Sequence, residues 1–463
     1  MIKNKILNFF SKQEAVAPIR NKLMMIWSDE IFFYNQRVVR EKLRVKENRA
    51  HVVYYFHSLS DPYSHLTINI LEKLISNFNI EIKIFFVSEP PQSITPERGM
   101  YKKHCLKDAA EIAGWHGLKF KATSYFPKEN ELMAYKILNY FSKINQNEYI
   151  NLIKKVSSFL WSNDLKGLQD IISNLNHEER EFLNKADNEI TYLGDKKISE
   201  FKYYFSASFH YEGENYWGID RISHLESRLI DLGLNKKDSV DSIVVRLKKP
   251  KINLNEFKEK KDLMILEFFP SLNSPYTYIS FKRIDELITL YPIKLIVRPV
   301  LPMLMRNIKI PSLKGKYILS DAAREGRKYG SIIKNIYSPI GSPARKAYSL
   351  FPIIDSYGLG FKYLKQLTRA SFYDGINIGD EGYLEKLISG FGLSWDIVKR
   401  ELKNNDWKNI LDQNLADMYE GNSWGVPTFK VTNFDNSNPY YQWGQDRIWL
   451  IENEIINRLI NHR

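Results

Sequence analysis

The feature that most constrains this chain is a set of motifs that occurs twice in the same order. Ser-Leu-x-x-Pro-Tyr begins at Ser58 and begins again at Ser271, 213 positions later. Asp-Ala-Ala at Asp108, with a glycine nine positions on, returns with the same spacing at Asp321. Trp-Gly-x-Asp-Arg follows near the end of each half, with a spacing of 226 positions. Ordered matches in nearly constant register predict an internal duplication, in which both halves adopt one fold.

Each Pro-Tyr motif follows a compact apolar stretch and is predicted to begin a helix. Leu263 to Phe269 and His51 to Phe56 have the length and composition of buried strands. Ser274 then suits the N-cap of a helix and Pro275 its first position, where a missing N–H costs nothing. A hydroxyl at that place lies beside unpaired backbone N–H groups and the positive end of the helix dipole. Such a site stabilises a carboxylate, phosphate or thiolate, although an ordinary capped helix gives the same local pattern.

The remainder of each half is predicted to hold a second strand, a long helical insertion, a strand pair and a final helix. A charged, proline-bearing segment from Lys248 to Asp262 separates the halves. The second strands are predicted at Ile80 to Val87 and Ile293 to Val297, the insertions at about Tyr101 to Lys185 and Lys316 to Met418, and the final helices at Asp220 to Leu232 and Asp446 to Ile460. The predicted organisation is a helical N-terminal arm (1–50), a first domain (51–240), a linker (241–261) and a second domain (262–463).

Composition narrows the class of protein. The 463 residues are 44% hydrophobic and 26% charged, as is ordinary for a globular chain of two or three domains. The net charge of +13 is spread along the chain, and neither a zinc-type Cys/His spacing nor a phosphate-binding glycine loop is present. We therefore expect neither nucleic-acid binding nor a metal site. No stretch approaches the ~20 apolar residues of a membrane span, and residues 1–14 lack a signal-peptide core, so a cytoplasmic protein is expected.

The N-terminal arm and the single cysteine each support a further prediction. The arm has arginines such as Arg37, Arg40 and Arg44 among apolar side chains such as Ile31, and packing on the body of the protein is favoured over membrane contact. Cys105 is the only cysteine, which excludes an internal disulfide and a two-cysteine redox centre. It is expected to be a small buried core residue rather than a reactive thiol.

In this order, the motifs resemble those of thioredoxin-like proteins of the disulfide-oxidoreductase (DsbA) type. The resemblance is to the branch of 2-hydroxychromene-2-carboxylate isomerases and kappa-class glutathione transferases. There the redox Cys-x-x-Cys turn is replaced by Ser-Pro-Tyr-x, as in the turn at Ser274. The Gly-Val-Pro-Thr-Phe segment at Gly425 and the Trp-Gly-Gln-Asp-Arg motif at Trp443 also fit. The resemblance covers residues 262–463 well and residues 51–235 in degraded form. It implies an α/β protein with two thioredoxin-like (DsbA-type) domains, each with a helical insertion.

The resemblance implies a glutathione site in the second half. In the family, the serine hydroxyl of this turn hydrogen-bonds the glutathione sulfur and favours its thiolate; by position that serine is Ser274. Val426-Pro427 is similar to the cis-proline turn of thioredoxin-like folds, where the backbone before the proline pairs with the cysteinyl unit. Gln445 and Asp446 would begin the last helix, with Asp446 facing the γ-glutamyl ammonium.

The activity implied is that of a glutathione-dependent isomerase or a kappa-type transferase acting on a small conjugated or electrophilic compound. In such isomerases the thiol adds to a conjugated position and is later eliminated, whereas the transferases leave it on the electrophile. Arg306 and Asn307 occupy the region where the family often has a lysine, and they are the candidates for its basic contact. The alternative is a non-catalytic thioredoxin-like protein that binds a partner.

The first half departs from the family pattern at its centre. Asp61 stands where the second half has Ser274, and a carboxylate there would repel a thiolate although it can still cap a helix. The segment Ser206-Ala207-Ser208 has no proline. Because the resembling enzymes are typically dimers, we expect the first half to bind no glutathione and to pair with the second in place of a homodimer.

Overall fold

The computed structural model describes residues 17–185, 190–237, 241–250, 252–257, 260, 263–402 and 406–461. Its contacts divide the chain into two compact units. The N-terminal unit is Tyr34–Lys248, and the C-terminal unit combines the residues up to Phe33 with those from Lys249 onward. The residues predicted as one arm are therefore divided between the two units, and residues 1–16 lie outside the described part of the chain.

Up to the linker, two N-terminal helices are followed by the predicted order of strand, helical segment, second strand, helical insertion, strand pair and final helix. The elements are α1 (Ala17–Ser28), α2 (Glu30–Lys46), β1 (Val52–His57), α3 (Pro62–Ile68), α4 (Leu71–Asn77), β2 (Glu81–Phe86), α5 (Arg98–Trp115), α6 (Lys128–Tyr140), α7 (Gln146–Trp161), α8 (Leu165–Ser173), α9 (His177–Lys185), α10 (Ile190–Glu200), β3 (Ser208–Tyr211), β4 (Glu214–Trp217) and α11 (Ile222–Asp231).

The same order of elements follows the linker. The elements are β5 (Met264–Phe269), α12 (Pro275–Leu290), β6 (Ile293–Val297), α13 (Ser312–Lys328), α14 (Ser342–Ser356), α15 (Gly360–Phe372), α16 (Glu381–Gly390), α17 (Trp395–Glu401), α18 (Trp407–Glu420), β7 (Thr428–Asn433), β8 (Tyr440–Trp443) and α19 (Ile448–Asn461), with 3₁₀ turns at Leu254–Phe257, Met303–Arg306 and Gln445–Arg447.

Each unit contains one four-stranded sheet with the same topology. The strand orders are β2-β1-β3-β4 and β6-β5-β7-β8. In both sheets the first two strands of the unit pair in parallel, and the remaining pairs are antiparallel. A parallel pair needs a crossover, which α3 with α4 supplies in one unit and α12 in the other. The two sheets are consistent with two thioredoxin-like domains.

A hydrogen bond between the first helix and the first insertion helix recurs 213 positions apart. The Tyr63 hydroxyl donates to the Asp108 carboxylate at 2.7 Å, and the Tyr276 hydroxyl donates to the Asp321 carboxylate, also at 2.7 Å. Both carboxylates are almost fully buried. A buried carboxylate needs such a partner, so the shared Asp-Ala-Ala motif has the same packing reason in both units.

A second recurring bond fixes the turn after the central strand. The Leu59 amide donates to the Tyr135 hydroxyl at 3.2 Å, and the Leu272 amide donates to the Tyr348 hydroxyl at 2.9 Å. Each tyrosine comes from the helical insertion, 76 positions after the amide that it accepts. The insertion therefore supports the Pro-Tyr turn directly in both units.

Most predicted boundaries agree with these elements to within two residues. The strand Ile293–Val297 is as predicted, whereas the first insertion, predicted to end at about Lys185, includes the further helix α10 (Ile190–Glu200). The last helix was expected to begin at Asp446; it begins at Ile448, because Gln445–Arg447 forms a 3₁₀ turn. The side chain of Gln445 is buried there against other helices, and a 3₁₀ turn rotates residues differently from an α-helix.

The main core of the C-terminal unit lies between its sheet and its helices. Phe257, from the segment predicted as a linker, is buried in that core. A second cluster, around Ile279 and Leu319, is covered by Met24 and Trp27 of α1, which is the packing expected for this part of the arm. Within the described ranges no helix is long and apolar enough to cross a membrane.

Candidate functional site

The centre of the candidate site is the N-cap of α12. The Ser274 hydroxyl accepts the backbone N–H of Thr277 at 3.1 Å, and Pro275 occupies the first helical position. Ser274 has extended backbone angles and is only 8% exposed. Its oxygen therefore lies at the positive end of the dipole of a 16-residue helix, as the sequence predicted.

The loop before β7 meets this cap. The peptide bond between Val426 and Pro427 is cis, and the Ser274 hydroxyl lies 3.5 Å from the carbonyl oxygen of Val426, to which it donates. Gly425 permits the close approach of the Trp443 ring, because a Cβ at this position would lie 2.4 Å from that ring. Two segments that are 152 positions apart in sequence are thus joined at one point.

Arg306 lies at the same loop, whereas Asn307 is exposed. A guanidinium N–H of Arg306 donates to the carbonyl oxygen of Trp424 at 3.0 Å. Asn307 is exposed and has a positive φ of 60°, which ends the short 3₁₀ turn before it. Of these two candidates for a basic contact, Arg306 is brought to the Val426 loop, and the role that the structure gives Asn307 is conformational.

Lys314 lies beside Trp424 at the same loop, and the sequence analysis did not predict it. Its ammonium lies 4.7 Å from the centre of the Trp424 ring, and the side chain is 8% exposed. Burial lowers the pKa of Lys314 to about 8. A signal was available in the sequence, because Lys314 and Asp321 are seven positions apart and so share one face of a helix. Asp321 faces α12 through Tyr276, and Lys314 therefore lies two turns away along that face.

Gln445 is held within the protein by three side chains. Its amide N–H₂ donates to Glu325 at 3.2 Å and to Asp446 at 2.5 Å, and its amide oxygen accepts from Arg283. Arg283 is nine residues beyond Ser274, which is ~13 Å along the axis of α12. The structure thus places the side chain of Gln445 beside the middle of α12, with the half-buried Asp446 next to it.

The corresponding place in the N-terminal unit has different chemistry. Asp61 caps α3 by accepting the Tyr63 N–H at 3.0 Å, and it also accepts from the hydroxyls of Ser64 at 3.0 Å and Ser206 at 2.7 Å. Burial raises the pKa of Asp61, and these hydrogen bonds oppose that rise. Asp61 and Cys105 line one cavity of about 40 Å³, which has room for a few water molecules.

Cys105 is buried, as expected, on the insertion helix α5. Burial and the nearby Asp61 carboxylate both raise the pKa of its thiol. Since the thiolate is the reactive form of cysteine, this environment makes Cys105 a poor nucleophile.

Comparison with known protein families locates one domain. Residues 265–455 match the family described as DSBA-like thioredoxin domain, so the C-terminal half contains a DsbA-like thioredoxin domain. No curated protein matches the chain.

Solved structures similar to the chain each cover less than half of it. A 2-hydroxychromene-2-carboxylate isomerase is 20% identical with a TM-score of 0.36, covering 43% of this chain and 97% of its own. A probable DsbA oxidoreductase from Streptomyces coelicolor is 17% identical with a TM-score of 0.34, covering 43% and 91%. The cytosolic disulfide reductase DsbM from Pseudomonas aeruginosa with GSH is 14% identical with a TM-score of 0.31, covering 38% and 89%.

Proposed function

We propose that the N-cap of α12 and the Val426 loop bind glutathione with the sulfur beside the Ser274 hydroxyl. The protein would use the bound thiol to isomerise a small conjugated compound or to modify an electrophilic one. The observation that carries the proposal is the meeting of this N-cap hydroxyl with the carbonyl of Val426, which precedes cis-Pro427, at 3.5 Å. The choice of glutathione as the ligand is based on the resemblance of the turn and of the later motifs to the isomerase and transferase branch.

The residues at the cap fit a thiolate. A hydroxyl can accept the Thr277 N–H and still donate one hydrogen bond, which it gives to Val426 here and can give to a sulfur by rotation. A donor at a helix N-terminus lowers the pKa of a neighbouring thiol. When bound, the thiol of glutathione supplies a nucleophile that the chain itself lacks at this place, since its only cysteine is Cys105.

Lys314 would supply positive charge to the same site. With its pKa lowered to about 8, Lys314 is mostly protonated at neutral pH. It is largely shielded from water, and its charge therefore acts strongly on a nearby anion. Tyr101, its counterpart 213 positions earlier, lines the cavity at Asp61 in the N-terminal unit. By this correspondence Lys314 would face the Ser274 cap.

Asp446 is proposed to receive the γ-glutamyl ammonium, with Gln445 as a positioning residue. The Gln445 amide donates to the Asp446 carboxylate and is itself fixed by Arg283 and Glu325. A side chain held in this way restricts its neighbour to few rotamers, which reduces the entropy cost of binding.

Calorimetric titration of glutathione tests the proposal directly. Wild type is expected to bind one equivalent per chain, and Asp446→Ala is expected to weaken or abolish binding. A lowered pKa of the bound thiol, followed by the ultraviolet absorbance of the thiolate, is expected in wild type and should rise toward the free value in Ser274→Ala. Lys314→Met should raise the pKa of the bound thiol in the same direction.

Asp61→Asn is the matched control, because it changes the equivalent cap in the unit for which no binding is proposed. It should leave the glutathione affinity unchanged. Absence of binding by wild type at millimolar glutathione would contradict the enzyme proposal. The alternative, a thioredoxin-like protein that binds a partner without catalysis, would then be favoured.

A further inference from the structure

A large groove lies on the N-terminal unit at the segment that connects α5 with α6. Its volume is about 750 Å³, within the range of small-molecule sites. One wall is the connecting segment from Lys119 to Pro127, and the other is the end of α7 with Trp161. None of its lining residues belongs to the Ser274 site, and the proposed glutathione chemistry does not use it.

Trp161 is the centre of an aromatic cluster in this groove. Three rings meet it edge to face, with centroid distances of 5.1 Å for Phe120, 5.5 Å for Tyr125 and 4.9 Å for Phe126. All four residues line the groove. Such an arrangement offers flat apolar walls in defined orientations, which suits a planar aromatic ligand.

The indole of Trp161 also carries an unused donor. The residue is 92% buried, being 8% exposed, and its ring N–H is buried without a hydrogen-bond partner in the part of the chain that the structure describes. A buried N–H without a partner costs free energy, and indole groups usually find an acceptor. A small shift of the ring that lets this N–H reach an acceptor atom of a bound ligand would remove that cost.

The charge around the groove favours an anion. Among the lining residues within the described ranges, Lys119 and Lys121 are cationic and none is a carboxylate. Asp164 lies next along the chain, but its carboxylate caps α8 by accepting the Gly167 N–H at 3.0 Å. The remaining polar groups of the lining include several hydroxyls, which can donate to an anion.

His65 fixes the lysine-bearing wall without adding charge. One ring nitrogen lies 3.1 Å from the Lys119 carbonyl oxygen, to which it must donate, so the other accepts from the Ser157 hydroxyl at 2.9 Å. This tautomer is neutral, and burial lowers the pKa of the imidazole. The wall is therefore held in place before any ligand arrives, which reduces the ordering cost of binding.

The geometry points to a second binding site, in which this groove holds a small aromatic anion, a ring system bearing a carboxylate or sulfonate. Its rings would pack on the Trp161 cluster, and its oxyanion would accept the indole N–H between Lys119 and Lys121. The aromatic walls provide most of the affinity, and the lysines with the indole provide the preference for an anion.

Two fluorescent probes that differ in charge test the site. Anilinonaphthalene sulfonate carries the sulfonate, and N-phenylnaphthylamine has the same rings without it. We expect wild type to bind the sulfonate probe more tightly, and Trp161→Phe, which keeps an aromatic ring but loses the N–H, to weaken it by about tenfold. Replacing Lys119 and Lys121 together by Gln should weaken the sulfonate probe by about fivefold or more and leave the neutral probe within about twofold.

Lys143→Gln is the control, because Lys143 is exposed and lies outside the groove. The lysine pair is also exposed, so its replacement keeps the proposal testable if Trp161→Phe unfolds the unit. Equal affinity for the two probes would overturn the proposal, as would sulfonate binding that Trp161→Phe and the lysine variant leave unchanged. Absence of saturable binding by wild type would overturn it as well.

Discussion

At the first turn of α12 the capping group is the hydroxyl of Ser274, whereas at the corresponding turn of α3 it is the carboxylate of Asp61. Ser274 accepts one backbone N–H and has a hydrogen to donate. Asp61 accepts from Tyr63 N–H and from the hydroxyls of Ser64 and Ser206, so it is an acceptor already satisfied within its own unit. The same helix start can therefore hold a group that receives an anion or one that repels it.

The residue 40 positions after each cap also differs in charge between the two units. The C-terminal unit has Lys314 there, with its ammonium over Trp424, and the N-terminal unit has Tyr101, stacked on Phe205 with ring centroids 6.2 Å apart. A cation near the cap would stabilise a thiolate, but a neutral phenol would not. The tyrosine hydrogen bonds that support the two turns are kept, so the framework tolerates a change of chemistry at its centre.

The largest effect is expected from giving the C-terminal unit the cap of the N-terminal unit. In Ser274→Asp, a carboxylate ~4 Å from the bound sulfur would oppose the thiolate by several kcal/mol at an effective dielectric constant of ~20. We expect glutathione affinity to fall by about a hundredfold or more in calorimetry, with α12 still capped. The reciprocal Asp61→Ser should change affinity little. Retained binding by Ser274→Asp would show that the thiolate does not lie at this cap.

The next effect concerns the shared framework. Tyr348 is fully buried, accepts the Leu272 N–H, and donates to the Val300 carbonyl oxygen at 2.9 Å. Tyr348→Phe leaves both backbone groups without this partner, which should destabilise the C-terminal unit by about 1–3 kcal/mol. Urea unfolding measures the loss, and faster hydrogen exchange at Leu272 would locate it. Tyr135→Phe provides the parallel measurement at Leu59; an effect in neither unit would contradict the supporting role of these tyrosines.

Short-range patterns predicted much of this framework from the sequence. The strand before Ser274, the cap itself and Pro275 depend on neighbours within a few positions, so local chemistry was sufficient. The environment of Gln445 depends on Arg283 and Glu325, from two helices far away in sequence, and no local pattern shows that its amide is buried. Lys314 was missed for a related reason: its spacing from Asp321 places both on one helix face, but the bond from Tyr276 that turns this face toward α12 is not shown by any local pattern.

The segment between the halves shows the same limit. Its charges and proline predicted a linker, yet Phe257 is buried in the main core of the C-terminal unit. A single aromatic residue in a charged stretch is a weak signal in sequence, although its burial contributes as much as that of any core phenylalanine. Division of residues 17–50 between the units was also not predictable, since an amphipathic helix does not specify which surface it covers.

A smaller effect should separate Lys314 from Tyr101 as neighbours of the cap. Glutathione sulfonate carries a permanent anion in place of the thiol, so its charge at that position does not change with pH. Because the pKa of Lys314 is lowered to about 8, wild-type affinity should fall as pH rises through this value, by about tenfold or less. Lys314→Arg should remove the pH dependence and keep the affinity. Lys314→Met should remove the pH dependence and lower the affinity. The same pH profile in all three proteins would exclude Lys314 from the site.

The smallest effect is a pH dependence of stability at Asp61. Its pKa is raised in the folded state, so the folded unit binds this proton more tightly than the unfolded chain does. The contribution to stability is then fully present below the unfolded pKa of ~3.9 and is lost as pH rises through the raised folded pKa. Asp61→Asn removes the titration.

The difference in unfolding free energy between wild type and Asp61→Asn should therefore decline with rising pH across that window and be constant above it. Urea unfolding at a series of pH values measures this difference. The sign depends on two opposing causes, since burial raises the pKa of Asp61 and the hydrogen bonds from Ser64, Ser206 and the Tyr63 N–H lower it. A difference that instead grows with pH would mean that those bonds outweigh burial. Asp61 would then be a stabilised carboxylate anion at the N-terminal cap, and the contrast with Ser274 would be that between a charged acceptor and a neutral hydroxyl that can donate.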